Sequence, residues 1–191
     1  YTVGLNAGCR ISEWAQPDSK SIQLSPDGNL PLAFTRNDVW FLDANYRLLP
    51  LQHVAQGHLL PHSVRLLWRF QKNNDNGETK TFAANIGLTS CIVTAMLRII
   101  QRSFRLRLSD NYPLAVFSSG SLVKLINDSH ITTSLRQLAV AVYGTMPPET
   151  LRRFSSHSLR AGACVILHAN GKGELFIKQR LRWRSNSFMN Y

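Results

Sequence analysis

Four groups of residues in this 191-residue chain have types and spacings that suit work on an anionic substrate. The first is Cys9-Arg10-Ile11-Ser12-Glu13, where an arginine precedes a glutamate by three positions, the spacing that sets both on one side of a helix. The second is a pair of lysines, Lys72 and Lys80, at the two ends of a hairpin turn. The third is Ser156-His157-Ser158-Leu159-Arg160-Ala161-Gly162. It puts His157 and Arg160 on one face at a helix start, where free N–H groups and a partial positive charge suit a phosphate oxygen. The fourth is Leu181-Arg182-Trp183-Arg184-Ser185, followed by Phe188 and by Tyr191 at the end of the chain. Each group alone has an ordinary reading. These are a surface ion pair, two solvated turn lysines, a capped helix with exposed polar residues, and a packed tyrosine.

The elements that must position these groups are legible from hydrophobic period. The chain begins inside a helical pattern, and residues 16–37 read as turns and loop from their Pro, Asp, Ser, Gly and Asn content. Val39 to Leu42 reads as a short strand. Val64, Leu66, Trp68 and Phe70 alternate with Arg65, Leu67, Arg69 and Gln71, a half-buried strand with two arginines on its outer face. Lys72 to Glu78 contains Asn76-Gly77 and predicts a turn, with Thr79 to Ala83 returning as the second arm of a hairpin. Residues 89–108 predict a long amphipathic helix with Ile92, Met96, Ile99 and Ile100 on one stripe. Further helices are expected over 132–144, capped by Thr132 or Thr133, and from a Ser155 or Ser156 cap to about Ala169. Two more follow, from Glu174 to about Trp183 and from near Ser185. The fold class expected is α+β, mostly α, with a small antiparallel sheet inserted among helices.

Composition narrows the partner. With 22 Lys+Arg against 11 Asp+Glu the formal net charge is +11, which calls for a polyanionic partner, nucleic acid first and an acidic protein or a membrane surface behind it. At 44% hydrophobic and 17% charged residues the chain has the content of a folded domain rather than a basic tail. No run of about 18 apolar residues predicts a membrane span, and the first residues lack the pattern of a signal peptide. Cys9, Cys91 and Cys164 are too few and too scattered for a disulfide framework, which points to a reducing, intracellular location. His53, His58 and His62 lie close in sequence but read as a solvated loop, so no metal site is expected there.

In order along the chain, the groups run Arg, Lys, His-x-x-Arg, then a basic and aromatic pair ahead of a tyrosine. Trp183 and Arg182 stand eight and nine positions before Tyr191. This ensemble resembles the catalytic domain of the tyrosine recombinases, or phage-type integrases, over nearly all 191 residues. The HSLRAG and Arg182-Trp183-Arg184-Ser185 segments look most like the eukaryotic Crypton- and DIRS-type mobile-element recombinases.

The resemblance implies site-specific DNA recombination or integration by strand cleavage and religation through a 3′-phosphotyrosyl intermediate. Arg10 and Arg160 match the arginine pair that neutralises the scissile phosphate with bidentate forks. Glu13 matches an acidic residue that supports the first arginine. Tyr191 matches the nucleophile. A hairpin lysine, Lys72 or alternatively Lys80, matches the general acid, and His157 the residue that assists proton transfer. Either Arg182 or Trp183 matches the further phosphate contact near the tyrosine. Because bond energy is kept in the covalent link and charge is handled by side chains, no cofactor and no metal are expected.

Double-stranded DNA is the implied partner, with self-association on DNA as a synaptic tetramer, no membrane, and a nuclear location if the source is eukaryotic. Arg65, Arg69, Arg98, Arg102, Arg105 and Arg107 are candidates for contact with the flanking backbone. The 191 residues are expected to be one catalytic domain. The N-terminal core-binding domain and the segment after the tyrosine are expected to lie outside this stretch. The nearest other readings are a type IB topoisomerase, which relaxes DNA by the same chemistry, and a DNA-binding relic of a mobile element without catalysis.

Overall fold

A computed structural model describes residues 1–18, 20–71, 76–85, 90–183 and 185. It is a mixed α+β fold with small antiparallel sheets among helices. Helix α1 (Thr2–Ala7) is followed by a single 3-10 turn (Ile11–Glu13), a long irregular stretch, a second 3-10 turn (Arg36–Asp38) and strand β1 (Val39–Leu42). Short helix α2 (Leu51–Ala55) leads to β2 (Ser63–Trp68) and β3 (Glu78–Ala83), and then to the long helix α3 (Ile92–Arg105). Strands β4 (Val116–Ser119) and β5 (Leu122–Leu125) form a second hairpin. The helices α4 (Asp128–Tyr143), α5 (Pro148–Arg152), α6 (His157–Ala169) and α7 (Glu174–Arg180) follow.

The first sheet has the order β1-β2-β3, antiparallel throughout, with Val39 opposite Leu66 and Trp68 opposite Glu78. The period-2 pattern acts as expected. Val64, Leu66 and Trp68 are buried while Arg65 and Leu67 lie on the half-exposed face. Helix α3 closes the core over that sheet with Ile92, Val93, Met96 and Ile100, against Phe41, Val54 and Phe82. A smaller core joins α6 to α7 through Ala163, Cys164, Ile177 and Leu181. Helix α1 packs against both α3 and α6. Its approach to α6 is close enough that a Cβ on Gly162 would lie 3.1 Å from Leu5 Cδ2.

Several expectations need correction. Arg10 and Glu13 do not lie along one helix, because α1 ends at Ala7 and Gly8 caps it in the left-handed region at φ 55°. Arg10 instead precedes the 3-10 turn, and Glu13 bonds back to its backbone as a capping box. Helix α4 starts four residues earlier than expected. Its cap is Asn127, whose side chain accepts from His130 N–H, rather than Thr132 or Thr133. Ser156 is the N-cap of α6, as expected, but its side chain makes no capping hydrogen bond; Ser158 Oγ accepts the Ser155 N–H at 3.0 Å and Thr132 Oγ1 the Ser156 N–H at 3.2 Å. Helix α7 stops at Arg180, three residues short of Trp183. Lys80 lies inside β3, opposite Leu66, not at the end of the turn. His53 belongs to α2 rather than to a loop. Lys72, and most of the helix expected after Ser185, lie outside the described residues.

Gly8 is the position where backbone freedom matters most. A Cβ there would stand 2.5 Å from Leu181 Cδ2 and 3.3 Å from its Cβ and Cγ, and Leu181 is fully buried. Gly8→Ala should therefore lower stability by about 1–3 kcal/mol, through left-handed strain together with overpacking. Urea unfolding should show this as a lower midpoint at unchanged slope. An unchanged midpoint would mean that α1 and Leu181 do not meet as described.

Candidate active site

The site is built around the Glu13 carboxylate, which is 4% exposed. Its Oε2 accepts the backbone N–H of Arg10 at 2.8 Å, the indole N–H of Trp68 at 3.0 Å and Nη2 of Arg182 at 2.7 Å. Its Oε1 faces Arg10 Nη1 at 3.4 Å. A buried carboxylate is tolerable only when hydrogen-bonded and paired in this way.

Arg182 has a buried guanidinium held on all sides. Besides Glu13, it donates to the Ala7 carbonyl at 3.0 Å and to Gln71 Oε1 at 3.2 Å, and it lies 3.8 Å over the Trp68 ring. Its backbone is left-handed at φ 58°. Of the two alternatives for a phosphate contact near the tyrosine, Arg182 is thus the one whose donors already serve the protein. The next residue, Trp183, is half-buried and lines the cleft described below.

Arg160 is 3% exposed and projects from the first turn of α6. Its Nη1 donates to the Gly8 carbonyl and its Nη2 to the Leu181 carbonyl at 2.8 Å, while the guanidinium lies 4.4 Å over the Trp183 ring. Burial, reinforced by the nearby Arg10 and Arg182 charges, pulls its pKa down to about 10. Two carbonyls and one ring fix the plane of this cation, and two of its five N–H groups are accounted for by those carbonyls.

Arg160 lines a cleft of about 400 Å³ together with Arg10, Ser12, Ser156, His157 and Trp183. The sequence motifs near residues 10, 157 and 183 thus meet in space although they are far apart along the chain. Cys9 also lines the cleft, but burial first and then the Glu13 charge push its thiol up to about 12, so it stays protonated. Lys80 lies in a second cleft of about 660 Å³ between the β2–β3 hairpin and α7, and Trp183 lines both. It pairs with Glu78 at 2.7 Å. Lys72 and Tyr191 lie outside the described residues.

The expected backbone-contact arginines divide into three kinds. Arg69 is committed internally, with Nη2 donating to Asp38 Oδ2 at 2.9 Å and to the Ala33 carbonyl at 3.3 Å. That corrects its reading as an outer-face cation, because β2 ends at Trp68 and the chain turns Arg69 back onto the second 3-10 turn. Arg65 and Arg102 are half-buried, Arg65 donating to Thr81 Oγ1 at 3.3 Å. Arg98, Arg105 and Arg107 are exposed. None of the six lines either cleft.

Sequence reasoning missed Trp68 and Gln71 as parts of the site. Trp68 read as core, and the one signal to the contrary is that a buried indole N–H needs an acceptor. Among the described residues no cluster of His, Cys, Asp and Glu could hold a metal ion, and no helix is long and apolar enough to cross a membrane. No protein-family model and no curated protein matches the chain.

The Glu13 arrangement makes a direct prediction. Glu13→Gln leaves the Arg182 charge buried without its carboxylate, so stability should fall by about 3–5 kcal/mol. Chemical denaturation measures this. A loss below about 1 kcal/mol would show that Glu13 does not anchor the arginines.

Proposed function

We propose that this chain cleaves and rejoins DNA as the catalytic domain of a tyrosine-type recombinase or integrase. The observation that carries the reading is the convergence of Arg10, His157, Arg160 and Trp183 on one cleft backed by the buried Glu13 carboxylate. The guanidinium groups of Arg10 and Arg182 share a single carboxylate, and the Arg160 pKa is lowered by burial first and then by those two charges. A bound phosphodiester would relieve that excess, since its two non-bridging oxygens accept bidentate bonds from rigid guanidinium forks. The order of the motifs along the sequence supports the same chemistry.

In this reading Arg10 and Arg160 hold the scissile phosphate and carry the charge that develops on its oxygens. The Tyr191 phenolic oxygen forms a bond to phosphorus as the bond from phosphorus to the 5′-oxygen breaks. His157 receives the phenolic proton. The departing 5′-oxygen takes a proton from the ammonium of a hairpin lysine, Lys72 or Lys80. The products are a 3′-phosphotyrosyl link and a free 5′-hydroxyl. Attack on that link by another strand's 5′-hydroxyl completes strand exchange, on DNA held by a synaptic assembly of several copies. Trp183 bounds the phosphate-binding cleft, and Arg182 holds the Glu13 carboxylate that pairs with Arg10.

A nicked suicide substrate tests the proposal. Incubation without metal or nucleotide should give a covalent protein–DNA adduct that resists denaturant and disappears in Tyr191→Phe. Arg160→Ala should cut adduct formation by about 10²-fold or more, the scale for removing a donor aimed at developing oxyanion charge. Equal adduct in Tyr191→Phe would remove the tyrosine from its role. No adduct from a longer protein containing this chain would favour a DNA-binding relic.

Two lysine variants assign the acid. Lys72→Ala and Lys80→Ala should both be assayed on the normal substrate and on a 5′-phosphorothiolate, whose sulfur leaves without a proton. Only the variant lacking the true acid should recover on the thiolate. Recovery of neither would place the acid elsewhere.

A further inference from the structure

Helix α4 keeps its apolar residues in the open over its last two turns. Of residues 137–143 only Ala139 is buried, while Leu138, Val142 and Tyr143 are 50%, 70% and 71% exposed. A helix with this many apolar side chains is ordinarily packed against another element, and a cluster of them at the surface marks a site of association. One flank of α4 does meet a neighbour. Arg136 donates from Nε to the Phe154 carbonyl at 3.0 Å and from Nη2 to the Arg152 carbonyl at 3.4 Å, which ties α4 to the end of α5. Pro148 stands at the first position of α5 and fixes its entry. Between the two helices lies a groove of about 530 Å³, lined by Thr133, Arg136, Gln137, Val140, Ala141 and Leu151. Thr133, Gln137, Val140 and Ala141 have the spacing of one helix face, so the groove follows α4 for about 12 Å.

The side of the groove formed by α5 is basic. Arg152 at the end of α5 and Arg153 just after it are exposed, and Arg136 joins them from α4. Among the described residues none of the three pairs with a carboxylate. Arg136 and Arg152 donate to backbone carbonyls instead. Glu149 is the one acidic residue of α5.

Shape and charge together select the occupant. A duplex would find phosphate partners on the arginines but would leave the apolar groove unfilled. A second copy of this chain brings its own net charge of +11 to a basic site. A lipid surface cannot enter a groove between two helices. The side chains of one helix can, with apolar residues at i, i+3, i+4 and i+7 filling the groove and carboxylates beside them meeting the arginines.

We infer that the α4–α5 groove is a docking site for an acidic amphipathic helix of a partner protein. The inference is independent of the DNA-cleavage reading, because the groove and the Arg10–Arg160 cleft share no residue.

The probe is a fluorescein-labelled designed helix of about 14 residues, with leucine at i, i+3, i+4 and i+7 and glutamate on the flanking positions. A scrambled peptide of the same composition reports charge attraction alone. By fluorescence anisotropy the designed helix should bind at least about tenfold more tightly than the scrambled one. Ala141→Glu sets a like charge in the groove and should weaken binding by about tenfold or more. The variant should fold, since Ala141 is exposed and glutamate is a good helix former. Arg152→Glu and Arg153→Glu should each weaken binding by about threefold or more. Lys20→Glu makes the same change of charge at an exposed lysine outside the groove and should leave binding as it was.

Equal binding of the scrambled peptide, or an equal loss in Lys20→Glu, overturns the site. A dimer in sedimentation that Ala141→Glu dissolves overturns it in favour of a second copy. Anionic vesicles that bind the chain with the same dependence on Ala141, where the peptide does not bind, overturn it in favour of a membrane. The suicide-substrate assay keeps the two readings apart. Peptide binding without adduct leaves the docking site standing and sinks the cleavage chemistry, and adduct without peptide binding does the reverse.

Discussion

One buried carboxylate organises this molecule. Glu13 gathers the backbone N–H of Arg10, the indole of Trp68 and the guanidinium of Arg182, from three separate parts of the chain. Without it the guanidinium groups of Arg10 and Arg182, which share it, would repel each other in a medium that screens poorly. With it, the 3-10 turn, the end of β2 and the segment after α7 share one polar centre inside an otherwise apolar packing. That centre is surrounded by donors, so its geometry has little room to vary. The cleft residues inherit this rigidity, Arg10 through the capping turn and Trp183 through its chain neighbour.

The arginines show how poorly a charge count measures a binding surface. Arg182 and Arg69 are spent on carboxylates and carbonyls inside the fold. Arg180 is a strut between α7 and β3. Arg36 pairs with Asp110 and lies 4.3 Å over Phe104. The guanidinium group suits such work because its planar fork satisfies several acceptors at once and its face stacks on aromatic rings. A large share of the basic excess therefore maintains structure, and the external charge rests on fewer residues than the composition suggests.

The sheet was legible in the sequence because its signal is local. Alternation from Val64 to Trp68 and the Asn76-Gly77 turn define the hairpin, and Val39–Leu42 pairs with it over the expected residues. The amphipathic stripe of α3 and the start of α6 are of the same kind. The β4–β5 hairpin was not foreseen, since Ser118 to Ser121 dilute its apolar run and Leu122 is exposed. The site was legible as a set of residue types but not as an arrangement. That Arg10 follows a left-handed glycine instead of continuing a helix depends on Leu181 lying against Gly8. That Arg182 turns inward depends on its own positive φ and on partners at Ala7, Glu13 and Gln71. No window of sequence holds those partners together.

The bonds that hold the cleft also span nearly the whole chain. Arg160 reaches the Gly8 carbonyl across 152 positions, and Arg182 reaches Ala7 and Glu13 across 175 and 169. Such closures are entropically late events in folding. While the chain is being synthesised from its N-terminus, Glu13 has emerged long before the arginine that pairs with it. Any unfinished product ending before Arg182 has the Glu13 carboxylate without its buried guanidinium partner and the cleft without Trp183. The carboxylate centre is thus a late closure, complete only when both ends of this stretch of chain are present.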